Sequence, residues 1–233
     1  MKPRDFFIPQ YTMETCGISC LQMALRYFNA DASKPRNVYE KRLRQELMYK
    51  QYGLQPAADT PHLAGTMGSA IAYALFQRGL HVTLAHASPN MIENHGNYFD
   101  DRHFHAFRMA HLRYIVKAEQ LMVQYAQAAL ENGSLHLQPR GSFTVERGVS
   151  VACDRLRAEL ERGRLVIVQI MVDGDADGLH DQVMHWILLY GVTEDGFLKL
   201  DPLSGSGTYS ADELSARMHT PFGGTFISVG REK

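Results

Sequence analysis

Two apolar runs constrain this chain more than any other feature. Leu165–Val172 and Trp186–Val192 are dense in β-branched and aliphatic residues and lack the in–out alternation of a half-solvated strand. Continuous runs of this length suit strands buried on both faces. Glu194-Asp195-Gly196 supplies a hairpin turn after the second run, through the positive φ that Asp-Gly tolerates. Phe197–Leu200 returns, Asp201-Pro202 ends that strand, and Gly224–Val229 forms a last one. The earlier half is helical. Gly17, Leu21, Ala24, Leu25 and Phe28 recur at helical spacing from Cys16, and Val38–Tyr49 reads as an amphipathic helix. Thr66–Arg78 is a small-residue helix closed by Gly79, and Leu80–Ala85 alternates as a strand. Val151–Arg162 is a charged-faced helix leading into the first apolar run. Helices early and strands late predict an α+β fold.

The 233 residues carry 24 basic and 25 acidic side chains, a formal charge of −1. No whole-molecule field then favours nucleic acid or an anionic membrane. No apolar run approaches the roughly 18 residues of a membrane-spanning helix. Met1-Lys2-Pro3-Arg4-Asp5 opens no secretory h-region, and three cysteines cannot all pair. The expectation is a cytoplasmic protein of one domain, residues 1–233, with a largely helical insertion at about 86–140. That insertion holds a long 3.6-period segment from Phe107 to Asn132 and the histidines His95, His103, His105 and His111. Their spacing has no metal-site pattern, so no metal or other cofactor is expected; His103 and His105 are candidates for lining a substrate groove. Ser204-Gly205-Ser206-Gly207 lacks a phosphate loop's lysine and reads as a flexible turn.

The chemistry concentrates in Gln10–Leu21, Gln-Tyr-Thr-Met-Glu-Thr-Cys-Gly-Ile-Ser-Cys-Leu. Cys16 falls in the first turn of a helix, where open amides and the positive end of the helix dipole suit an anionic sulfur. Thr15 is placed to cap that helix, and Gly17 leaves room for a substrate backbone. Acyl chemistry at sulfur also needs a proton donor, a group to orient it and oxyanion donors. His185 stands at the mouth of the second apolar run and Asp201 at the end of the returning strand, so a hairpin with a bulge could bring them together. His180 competes for the acid–base role from a nearby loop. Gln10, six residues before Cys16, could aim its amide at the same oxygen as the Cys16 N–H. Met184 and Trp186 flank His185 and are candidate substrate contacts with Gly17. Cys20, one turn beyond Cys16, reads as core, and Cys153 as structural.

The Gln10…Cys16-Gly17 spacing, the Cys20-Leu21 that follows, and the His185-strand-Gly191…Asp201-Pro202 segment resemble the papain-like cysteine peptidases. Among these the chain looks most like the double-glycine leader peptidases that process bacteriocins, and their stand-alone relatives. The resemblance spans about residues 8–85 and 150–230. It implies a helical lobe carrying the Cys helix against a C-terminal antiparallel sheet. It also implies Cys16 as nucleophile, His185 as acid–base, Asp201 as its orienter and Gln10 in the oxyanion hole. Thr15 stands where an acidic residue often precedes the nucleophile, the 86–140 insertion has no evident counterpart, and the chain carries no transporter domain. Hydrolysis of a peptide or amide bond is the first expectation. The alternatives are acyl transfer to an amine, with an acyl donor held on a carrier protein, and a catalytically inactive interaction module.

Overall fold

A computed structural model describes residues 5–10, 15–28, 68–87, 141–173, 182–218 and 224–231, with helical positions 120, 123, 124, 126–128 and 131. The elements are α1 (Cys16–Tyr27), α2 (Gly68–Phe76), β1 (His81–His86), β2 (Phe143–Arg147), α3 (Cys153–Glu161) and β3 (Leu165–Asp173). They continue with β4 (Gln182–Val192), β5 (Gly196–Asp201), β6 (Gly205–Ser210), α4 (Ala211–Met218) and β7 (Thr225–Gly230). The strands form one seven-stranded sheet in the order β2-β1-β7-β3-β4-β5-β6. Fold class is α+β, as the order of elements predicts.

Both apolar runs are central strands, and each feeds two cores. Leu165, Ile167, Trp186 and Leu188 pack with α1, α2, Phe6 and Ile8 on one face. Val166, Val168, Ile170, Ile187 and Leu189 pack with Leu156, Leu160, Leu214 and Met218 of α3 and α4 on the other. Each such side chain, fully withdrawn from water, contributes about 1.5–3 kcal/mol, so a polar residue on either face of these strands is strongly disfavoured. Phe6 meets Tyr27 and Tyr190 edge-on at 5.3 and 5.9 Å between ring centroids, which anchors the N-terminal segment in the first core.

The expected sheet is corrected in three respects. It is mixed: β1 pairs with β2 in parallel, while the other pairings are antiparallel. A parallel pair requires a long crossover, and the segment between β1 and β2 is the stretch read as an insertion. Second, the supposed turn at Ser204–Gly207 runs into β6, where Gly205, Ser206 and Gly207 pair with Asp201, Leu200 and Lys199. Glycine and serine have little strand preference of their own, but the open edge of β5 supplies the pairing. Third, Gly196 does not adopt positive φ. A Cβ there would lie 2.0 Å from the Tyr209 carbonyl oxygen, so close backbone approach requires glycine. The Val38–Tyr49 helix lies outside the described residues, as does most of the 107–132 helix; Ala126, within the latter, is buried in the first core.

A bulge in β4 fixes the relation of β4 to β5. Val192 faces Phe197 and Gly191 faces Leu198, but beyond Tyr190 the partners become Leu189↔Lys199 and Leu188↔Leu200. An unbroken ladder would set Asp201 against Leu188, on the opposite face from His185. The extra residue moves Asp201 one place along and onto the face of His185, because side-chain direction alternates with every residue.

Candidate functional site

Cys16 opens α1 and is 5% exposed. Thr15 occupies the N-cap, but its side chain makes no capping hydrogen bond, contrary to expectation. Its φ of −101° and ψ of 11° lie outside the extended range in which a capping hydroxyl reaches back to the helix amides. Its carbonyl accepts from the Ser19 amide at 2.9 Å and so closes the first turn behind the sulfur. Gly17 is buried beside Cys16.

His185 is 4% exposed, and its Nε2 lies 2.8 Å from Asp201 Oδ1. The Cys16 side chain lies near enough to act on the ring, through hydrogen bonding and charge. With Nε2 on the carboxylate, Nδ1 is the nitrogen left for sulfur. Burial alone pulls the imidazolium down, but the bonds with Asp201 and Cys16 outweigh it and raise His185 to about 9. The surroundings therefore favour the cationic form of the ring.

Asp201 takes two donors on each oxygen. Oδ1 accepts from His185 and from the Leu203 amide at 2.9 Å. Oδ2 accepts from Ser204 Oγ at 2.6 Å and Lys199 Nζ at 3.3 Å. Burial works to raise this carboxyl, yet the bonds from His185, Ser204 and the Leu203 amide hold it well below the usual carboxylate range. Lys199 and Ser204 are absent from the sequence-derived site, though a signal for each exists. Lys199 shares a strand face with Asp201 by the two-residue period, and a hydroxyl three residues after an aspartate is a common turn pattern.

The Gln10 backbone N–H donates to the Pro202 carbonyl at 3.0 Å, which ties the N-terminal segment to the turn following Asp201. Met184 is half-buried on β4. Trp186 is buried, its ring beside Gly68 of α2: a Cβ on that glycine would stand 3.1 Å from the indole. The Trp186 carbonyl accepts from Cys20 Sγ at 3.3 Å. Burial, followed by the charges of Cys16 and Asp201, pushes the Cys20 thiol well up. Cys153 donates to the Ala211 carbonyl at 3.2 Å. His180, His103 and His105 lie outside the described residues.

Among the described residues, no group of three or more His, Cys, Asp or Glu side chains is placed to hold a metal ion, and no helix is long and apolar enough to cross a membrane. What the cluster offers is a sulfur, a protonated imidazole and a fully bonded carboxylate in series.

No family model matches the chain, and no curated protein does. Among solved structures, the peptidase domain of Streptococcus ComA, a bifunctional ABC transporter involved in a quorum-sensing pathway, aligns over 97% of each chain with a TM-score of 0.44 and 10% identity.

Proposed function

We propose that this chain is a papain-like cysteine hydrolase of peptide or amide bonds. The observation that carries the reading is the buried His185 imidazole, hydrogen-bonded with Asp201 on one nitrogen and influenced by the nearby Cys16 side chain. The Cys16 thiolate attacks the substrate carbonyl carbon, and the carbonyl π electrons move to oxygen. The Cys16 amide and the Gln10 side chain receive that oxyanion. As the tetrahedral intermediate collapses, the C–N bond breaks and the His185 imidazolium gives its proton to the departing amine. An acyl-thioester remains on Cys16. Neutral His185 then takes a proton from water, the resulting hydroxide displaces sulfur, and the acid leaves with the thiolate–imidazolium pair restored. Asp201 stays ionised throughout and holds the ring in the orientation that serves sulfur.

The test is mass spectrometry of incubations with a peptide library, for the wild type and Cys16→Ala. Fragments whose masses sum to substrate plus water, absent from the variant, support the reading. An amide formed with an added amine, and no free acid, would reassign the chain to acyl transfer. Iodoacetamide at pH 6 that labels Cys16 no faster than a free thiol would make it an inactive module.

A further inference from the structure

Lys199 stands next to the cluster without touching any group that would react. It lies two residues before Asp201 on the same strand face, and its side chain is only 11% exposed. Among the described residues its ammonium meets Asp201 Oδ2 at 3.3 Å, Ser204 Oγ at 3.1 Å, and the Tyr209 ring with its centroid at 4.2 Å. The hydrogen-bond directions are self-consistent. Ser204 spends its one proton on Oδ2 and accepts from Lys199 with a lone pair. Carboxylate, hydroxyl and ammonium thus close a triangle on Oδ2 and leave Oδ1 to His185 and the Leu203 amide.

We propose that Lys199 is a positioning residue of this site: it locks the Asp201 carboxylate with Oδ1 towards His185 and offsets part of its charge, so that the imidazolium can still release its proton during turnover. This inference rests on the hydrolase reading above. Without the ammonium, Asp201 would pull undiluted on the imidazolium, and the acid would become too weak to protonate a leaving amine efficiently. Among the described residues, the surrounding charges do not duplicate the role. Cys16 acts on His185 from α1, and its neighbour across β3 is the neutral Ile170. On the far side, Lys199 lies over the Tyr209 ring of β6, which Arg217 of α4 also approaches, and Glu213 of α4 feels the charge of both cations. Lys199 is paired across β4 with Leu189, which is neutral.

The experiment uses the full chain with ¹³C-labelled histidine, the His185 resonance being assigned by its loss in His185→Gln. Its titration is followed in the wild type, Lys199→Met, Lys199→Gln and Lys199→Arg. Both neutral variants are expected to move the His185 midpoint upward by about 1 pH unit. Lys199→Arg keeps the charge and is expected to titrate like the wild type. The proposal is overturned by an unchanged or lowered midpoint in the neutral variants, by an arginine variant that shifts as far as methionine, or by loss of the native fold in both neutral variants. An unreactive Cys16 in the parent chain would remove the hydrolase reading, while the His185 titration would still decide what Lys199 does.

Discussion

Replacing Asp201 by asparagine changes charge and one donor–acceptor pattern while nearly conserving volume. The native carboxylate accepts from His185 and the Leu203 amide on Oδ1, and from Ser204 and Lys199 on Oδ2. An amide has one oxygen, so two of those four donors must face an NH₂ group. Ser204 can turn to accept from it; Lys199 cannot. The larger consequence falls on His185. Its rise from 6.5 to about 9 corresponds to roughly 2.5 pH units, or about 3 kcal/mol favouring the imidazolium. With the carboxylate gone, burial is opposed by Cys16 alone, and the midpoint is expected to fall to its ordinary value or below. At pH 7.5 the protonated fraction of His185 then drops by about tenfold, and iodoacetamide labelling of Cys16 is expected to slow. Stability carries the same signature. A His raised on folding stabilises fully below its unfolded value near 6.5, and that contribution disappears as pH climbs through about 9. Asp201, lowered on folding, stabilises above its unfolded value near 3.8 and loses that contribution as pH falls. Urea midpoints should therefore peak between about pH 4 and 6.5 in the wild type, and Asp201→Asn should flatten both flanks. Superimposable labelling profiles for the two proteins would refute this account of the site.

Gly196→Ala places a Cβ 2.0 Å from the Tyr209 carbonyl oxygen. It is expected to cost about 3 kcal/mol in chemical denaturation and to lower Cys16 labelling as well, since the same hairpin delivers Asp201. Glu159, 1% exposed, receives Arg162 at 2.8 Å, Arg164 at 3.1 Å and the Ser228 hydroxyl at 2.6 Å. Glu159→Ala should destabilise by about 3 kcal/mol with the labelling rate of Cys16 in the folded protein unchanged, because the network lies across the sheet from α1. Gln10→Ala is expected to slow hydrolysis by about 10²–10³-fold while sparing alkylation, which forms no oxyanion. Equal loss of both rates would place Gln10 in the fold and not in the oxyanion site. In native protein, iodoacetamide should leave Cys20 unlabelled until denaturant is added, since burial both raises its thiol and excludes the reagent.

Much of the architecture was legible because it follows from local pattern. The runs around Ile167 and Leu188 have no polar face, so they had to be interior strands. The small-residue helix is there but ends at Phe76, two residues before the predicted Arg78, and Gly79 follows at φ 78°. Gly205–Ser210 was not legible, because neither glycine nor serine announces a strand; the free edge of β5 makes it one. The parallel β1–β2 pair was hidden because Phe143–Arg147 carries charges in a short segment, and its partner lies more than fifty residues earlier. Thr15 misled for a local reason. Residue type favours a cap, but its backbone is turned away from the capping conformation.

By itself, the sequence determined that a cysteine begins a buried helix, that two doubly buried strands form the middle of a sheet, and that a short hairpin joins His185 to Asp201. Each of these depends on residue type and spacing along a few turns of chain. Only the tertiary structure decided that Tyr190 bulges from β4, which sets His185 and Asp201 on one face, and that Lys199 and Ser204 close on the second carboxylate oxygen. The physical reason is that a one-residue slip in pairing hardly changes local preference, yet it inverts every side chain beyond it. What resolves the slip is the packing of both sheet faces at once.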